Sequence, residues 1–557
     1  MTRSSLDRCL VSSGATYSIS SNRFASLLLW LMPPLGFGML ALYLGQDANW
    51  DLRNYHFYNA YAFVHGRLGF DIAPAQTPTY YNPLLHVPFY YLVTYLPPRA
   101  VGFVLGALQG LNLPFLYRIA RPLIHVAKPC NAALTTLIIA LLGTLGAANI
   151  SEVGTVFGDN IISVLVLGAL WLMVSKRHQL AAQARIAAAT ALGAGLLTGL
   201  AVGLKQPTAV YGLGLGMAVL ALPLPWPRRL MLVLAFGVGG FVGLASTGGY
   251  WLYEMWLHYG NPLFPYFNNV FHSPMASLAD YRDVRFLPQG WREWLFFPLV
   301  FAFDPTQTAE GGFRDLRIPL LYSLLLILLL HTLLTWGKAR RADGAASLPP
   351  GDLGTQRALL VFGLVSYLAW LKLFAIYRYL LTIELLAPLG IWLIIAHLVR
   401  DRRKAMVTAG ACGVLILATL APMQWGRVDW GDDYFGVVPP PIPNPAHTLI
   451  VMTGYEPTAY VIPFFPPQIR FLRIQSYFTG PSATPNGTDL LMQNLIAAHR
   501  GPLYILYRGI EQATADSALQ AYGLRRRSNQ CETLHPHIEA KIADQLYFCK
   551  LARTGPP

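Results

Sequence analysis

The chain has 557 residues, 54% of them hydrophobic and 12% charged, with a mean hydropathy of +0.42. Soluble domains carry about twice that share of charge, so the composition is that of an integral membrane protein. Five Cys without a Cys-x-x-Cys pair exclude a disulfide-scaffold fold and a multi-thiolate metal module, and the formal charge of +14 has to be placed before it says anything about partners.

In chain order, eleven apolar runs approach the roughly 20 residues that a bilayer core of about 30 Å requires. They lie near 24–45, 100–118, 131–148, 160–175, 187–204, 207–223, 230–247, 317–336, 358–375, 380–399 and 405–421. The first is too long for a removable signal peptide, and Pro33 and Pro34 predict a kink in it. Segments sharing a side with the N-terminus, from Arg3 and Arg8 through Lys128, Arg340 and Arg341 to Lys404, hold 19 basic and four acidic residues; the opposite side up to 421 holds 11 and 13. The positive-inside rule then places the N-terminus in the cytoplasm and, with an odd number of spans, the C-terminus outside. The excess of positive charge is this signature, and no nucleic acid is needed to explain it.

The expected fold is an all-α polytopic membrane module over 1–421 followed by a small extracytoplasmic α/β domain over 422–557. Two long outer loops, 45–99 and 248–316, belong to the module. The inner connections are short and basic apart from 337–357, so chemistry faces outward. In the tail, the Pro-rich run 438–445 reads as a linker, 448–452 and 502–507 as strands, and a stretch near 488–499 as helix. Cys531 and Cys549 are the only cysteines there. An oxidising compartment predicts a disulfide between them; two unpaired thiols are the alternative.

Asp51, Tyr55 and Tyr58 share a face at helical spacing directly after the first span, with Asp47 one turn earlier. A carboxylate at a membrane edge beside aromatic rings suits a general base toward an acceptor hydroxyl. The same pattern suits an interfacial helix with a capping Asp and an aromatic belt. In the second outer loop, Ser151 to Asn160 brings Glu152 and Asp159. Gly199 to Gln206 is a Gly-rich span ending in Lys205, and Ile376 to Leu380 sets Arg378 between two tyrosines. Lys205 and Arg378 at span ends either meet an anionic partner or snorkel to headgroups. In 248–316, Arg282-Asp283 and Arg314-Asp315-Leu316-Arg317 form phosphate clamps or loop braces.

The layout of 24–421 resembles the GT-C glycosyltransferases, multi-spanning enzymes that use polyprenyl-phosphate-linked sugars. An Asp-x-x-x-Tyr start to an interfacial helix, Gly66 ending it, and Tyr80-Tyr81-Asn82-Pro83 opening another carry the resemblance, with the Lys205 and Arg378 elements. It implies an inverting transferase at the outer face of a bacterial inner membrane. Asp51 would be the base; Asp47, which lacks a Tyr four residues on, matches less well. Arg378 and Lys205 would meet the donor phosphate, and Tyr55, Tyr81, Glu152, Asp159, Arg314 and Arg317 would position substrate. The implied partners are a polyprenyl-phosphate-sugar donor, a glycan, lipid or protein acceptor, and membrane lipid. A divalent metal serves some members of the family and not others, and the sequence requires none. A transporter or lipid flippase is the alternative of another class; it predicts ionisable groups at mid-membrane, whereas nearly all lie at span ends.

Overall fold

The computed structural model describes residues 19–126, 129–339 and 350–554. Arg3, Arg8, Lys128, Arg340 and Arg341 of the basic set lie outside them. The fold is mostly helical, with a small sheet near the C-terminal end. By length and composition seven described helices are able to cross a membrane: Arg23–Leu44, Pro98–Ala120, Ala184–Leu204, Trp226–Tyr259, Arg317–Thr335, Asp352–Leu373 and Tyr377–Leu398. In a bilayer only structures that satisfy every backbone polar group internally are viable, which is why such apolar runs become helices. Four further runs fold as helices that are shorter or, in the last case, open on three basic residues. The run at 131–148 is interrupted where Gly146 turns extended before the one-turn helix Ala147–Ser151. That at 207–223 starts on a tight turn at Gln206–Thr208, leaving Ala209–Leu220. The other two are Asp159–Ser175 and Arg402–Thr419.

Close packing of two of these helices sets the position of Lys205. A Cβ at Gly195 would overlap the Phe236 carbonyl, and one at Gly199 would overlap that of Gly240. Only glycine allows Ala184–Leu204 to lie this near Trp226–Leu244, the small-residue seam usual between membrane helices.

The sheet contains strands β3 to β7, preceded by a short ladder of β1 (Gln46–Asp47) with β2 (Arg427–Val428). β3 is Leu449–Met452, β4 Arg470–Arg473, β5 Leu503–Arg508, β6 Leu524–Leu534 and β7 Leu546–Arg553, in the order β4-β3-β5-β7-β6. The first three are mutually parallel and the last two antiparallel to their neighbours. Parallel neighbours need crossovers, and the helix Gly487–Ala498, with a capping box from Asn486 and Asp489, supplies one. Cys531 pairs with Cys549 across β6 and β7, and the two form a disulfide.

Residue 421 divides the chain but not its cores. Ile72 adds to the β4 edge, its N–H donating to Phe471 O at 2.9 Å and its carbonyl accepting from Arg473 N at 3.0 Å. Asp71 accepts from Phe471 N at 2.9 Å and from Arg67 Nε at 2.6 Å. Leu52, Phe57 and Tyr61 pack in one buried cluster with Phe435, Tyr460 and Phe548. Arg53, two residues after Asp51, contacts Glu539 at 3.4 Å, and Glu539 is in turn bound by Arg508.

Candidate functional site

Four helix ends meet around Asp51. The stretch it opens begins with a π-type turn, Leu52–His56, and continues as the helix Phe57–Val64; such wide turns favour functional positions. Asp51 Oδ2 accepts from Arg378 Nη1 at 3.2 Å, and the two side chains remain 16% and 9% exposed. Arg378 sits on the tight turn Tyr377–Leu380 that starts the helix Leu381–Leu398. That turn is held by Trp370 Nε1 donating to Ile376 O at 2.7 Å and Tyr377 N donating to Thr308 O at 2.8 Å. The guanidinium lies over the rings of Phe157 (4.2 Å) and Trp425 (5.3 Å), and its Nε has no partner.

Lys205 follows the last residue of Ala184–Leu204. Its Nζ is 2.7 Å from Asp159 Oδ1, at the start of Asp159–Ser175, and donates to Phe157 O at 2.8 Å. The Tyr379 ring lies 5.4 Å from Lys205 Nζ and 5.7 Å from the Arg378 guanidinium. Tyr55, one turn beyond Asp51, meets Tyr81 edge to face at 5.3 Å, and the Tyr81 hydroxyl hydrogen-bonds that of Tyr266. The sequence-predicted residues Asp51, Tyr55, Tyr81, Asp159, Lys205 and Arg378 thus form one cluster. Tyr379, Phe157, Trp425 and Tyr266 complete it. Tyr379 and Phe157 stand inside the motifs that supply Arg378 and Asp159. Trp425 carried no local signal, because only the fold brings it back to Arg378.

Burial, with Asp51 adding to it, pushes the Tyr55 hydroxyl well above its usual range, so it acts as a neutral donor. Beneath the cluster the rings of His56 and His86 stack 3.9 Å apart. Burial, and Lys205 nearby, hold both below the usual histidine range, His86 down to about 3. Both rings are therefore neutral at ordinary pH. Glu152 is fully buried, and neither carboxylate oxygen has a hydrogen-bond partner. Burial and then Asp159 push it well above the usual carboxylate range, against the pull of Lys205 and Arg378.

Three residues grouped with Asp51 from the sequence stand apart from it. Asp47 is fully enclosed, accepting from Val156 N at 2.9 Å and from the Asn49 amide at 2.8 Å. It ties the first segment to the 152–158 loop, and all of its oxygens are used in doing so. Arg317 is fully buried, donating to Leu145 O at 2.6 Å and facing Asp315 at 3.4 Å. Arg314 is exposed and bonds Ala421 through its backbone. In the same segment Arg282 pairs with Asp280 and Arg285 with Asp283, each at 2.7 Å, so both arginines brace their own loop.

Among the described residues no three His, Cys, Asp or Glu are arranged to hold a metal ion. Asp51 and Asp159 each already face a cation. A scan against protein-family models finds no match, and a search of curated proteins finds none either.

Proposed function

We propose that the chain is an inverting glycosyltransferase of the GT-C type, moving a sugar from a polyprenyl-phosphate donor to an acceptor hydroxyl. The observation that carries this reading is the contact of Asp51 with Arg378 across 327 positions of sequence, with Lys205 brought in beside them. A base toward a hydroxyl and fixed cations toward a departing phosphate are the two things such a reaction needs. Asp51 takes the acceptor proton as the acceptor oxygen bonds to the anomeric carbon from the face opposite the phosphate. The carbon–oxygen bond to phosphate breaks, and its electron pair leaves on the lipid phosphate. Arg378 meets Asp51 through Nη1 only, so part of its charge remains for the phosphate, and Lys205 offers a second charge. Tyr55, Tyr81 and Tyr379 supply neutral donors and ring faces for the sugar.

Charge supports an orientation with eleven spans, the N-terminus in the cytoplasm and the site and tail in the periplasm of a bacterial inner membrane. Asp159–Ser175 leads from the site to Lys176 and Arg177, and Ala184–Leu204 leads from Arg185 back to Lys205. The surplus of basic residues therefore lies at the helix ends away from Asp51. The test is to delete the gene and complement it with wild type or Asp51→Asn, following lipid-linked sugars and surface glycans by mass spectrometry. A polyprenyl-phosphate sugar should accumulate in the deletion, clear with wild type and persist with Asp51→Asn. An unchanged lipid-linked pool in the deletion overturns the reading.

A further inference from the structure

A cavity lined by neither Asp51, Lys205 nor Arg378 is left unused by the chemistry above. It is a cleft of about 220 Å³ between the helix Phe57–Val64 and the end of the helix Tyr250–Tyr259, walled by Phe63, Tyr80, Tyr250, Trp251 and Tyr259. Its hydrogen-bond donors are already engaged. Arg67 gives Nε and Nη2 to Asp71 at 2.6 and 2.8 Å, and reaches Pro467 O and Ile469 O. The Tyr58 hydroxyl donates to Asp71 at 2.9 Å, and Trp251 Nε1 donates to Tyr80 O at 2.8 Å.

Its acceptors are left over. Asn59, 4% exposed, donates its amide to Pro78 O at 2.7 Å, while its Oδ1 has no partner. A buried carbonyl in that state is costly unless something donates to it. Glu254 lines the same cleft, with His258 3.4 Å away and the Tyr250 hydroxyl as a hydrogen-bond partner, which leaves carboxylate acceptor sites over. Arg67, the arginine of the wall, spends Nε, Nη1 and Nη2 on Asp71, Pro467 O and Ile469 O, so the cleft offers an anion no free guanidinium edge. Free acceptors with several ring faces suit a ligand that brings hydroxyl donors and an apolar C–H face.

The location agrees. Trp226–Tyr259 is 34 residues long, about 51 Å of helix against a hydrocarbon core of about 30 Å, so its last turns stand clear of the lipid. Asn59 follows Asp51 by eight positions, roughly 12 Å along the helical segment they share. We infer that this cleft is a saccharide subsite, taking a neutral pyranose unit of the acceptor away from the reacting hydroxyl. Assigning that unit to the acceptor rests on the transferase reading; the binding itself does not.

Saturation-transfer NMR on the purified full-length protein tests it, with the methyl glycosides of glucose, galactose, mannose and rhamnose as probes and ethanolamine as an ammonium control. At least one glycoside should respond, the response falling about fivefold or more in Asn59→Leu and Glu254→Gln and persisting in Asp51→Asn. Tyr250 is 60% exposed, so Tyr250→Ala keeps the fold and should weaken the same response. The inference is overturned if no glycoside responds, if the response survives all three cleft variants, or if only ethanolamine responds. A wild-type glycoside response without any glycosyl transfer leaves the cleft standing and removes the transferase reading. Transfer without a response removes the cleft alone.

Discussion

Two arginine–carboxylate clusters stand at helix ends in this protein, and they are finished in opposite ways. Around Arg317, Asp315 Oδ2 accepts from Ala147 N at 2.9 Å, and Glu384 accepts from Ala148 N at 3.1 Å and Asn149 N at 3.0 Å. Both side chains of the Arg317–Asp315 pair are 0% exposed, and Leu145 O takes a further donor. Around Arg378 there is one contact to Asp51, three aromatic rings, and a residual opening. The first cluster ties the 145–149 loop to two helices. The second keeps charge in reserve. The same residue types make a brace where backbone N–H groups occupy both oxygens of each carboxylate, and a candidate reaction centre where the carboxylate is met by an arginine side chain instead.

The largest effect should come from breaking the brace. Arg317→Met strands Asp315 and Glu384 as buried carboxylates, and removing one partner of a buried ion pair costs about 3–5 kcal/mol. Thermal unfolding of the detergent-solubilised protein should fall sharply, with activity following the amount of folded material. An unchanged unfolding midpoint would mean that the cluster is no brace. Asp51→Asn should behave in the reverse way, with folding near wild type and turnover down by roughly 10²-fold or more. Asp47→Asn serves as its counterpart and should lose stability rather than turnover per folded molecule. If the two exchange phenotypes, the catalytic assignment moves to Asp47.

A milder change probes the reserve at Arg378. Lysine keeps the charge but loses the planar fork, so Arg378→Lys should lower turnover with donor about tenfold at unchanged stability. Equal activity would show that any cation serves there. The effect that is smallest at neutral pH concerns the stacked histidines below. Folded His86 stays neutral down to about 3, whereas the unfolded ring takes a proton below about 6.5. Unfolding therefore binds a proton throughout that window, and stability falls as pH drops through it, by at most about 1.4 kcal/mol per pH unit. His86→Gln retains a donor for Val156 O and should flatten this acid-side slope in pH-dependent melting; an unchanged slope would show that His86 contributes nothing to it.

Asp51, Lys205 and Arg378 were legible because each stands where an apolar run ends, and hydropathy locates such ends without any tertiary information. The strands at 448–452 and 502–507 were legible for a related reason, since short apolar runs bounded by Pro and Gly have few other fates. β4 and the docking of Ile72 on it were not, because an edge pairing between positions 400 apart leaves no trace in local periodicity. Arg314 and Arg317 looked alike as neighbours in one basic motif. Only the start of the helix at Arg317, which turns one inward and leaves the other exposed, separates them. The enclosure of Asp47 was hidden too, since the Val156 amide that occupies it lies 109 positions away.

The contact between Arg53 and Glu539 gives biosynthesis an order. Ribosomes make Asp51 early, and Lys205 and Arg378 follow while the chain is still being threaded into the bilayer. The carboxylate that holds the Asp51 helix arrives 486 positions after the arginine it binds. Through most of synthesis the nascent polypeptide therefore carries Asp51 without the anchor that fixes its helix, and an interruption before residue 539 leaves that anchor unmade.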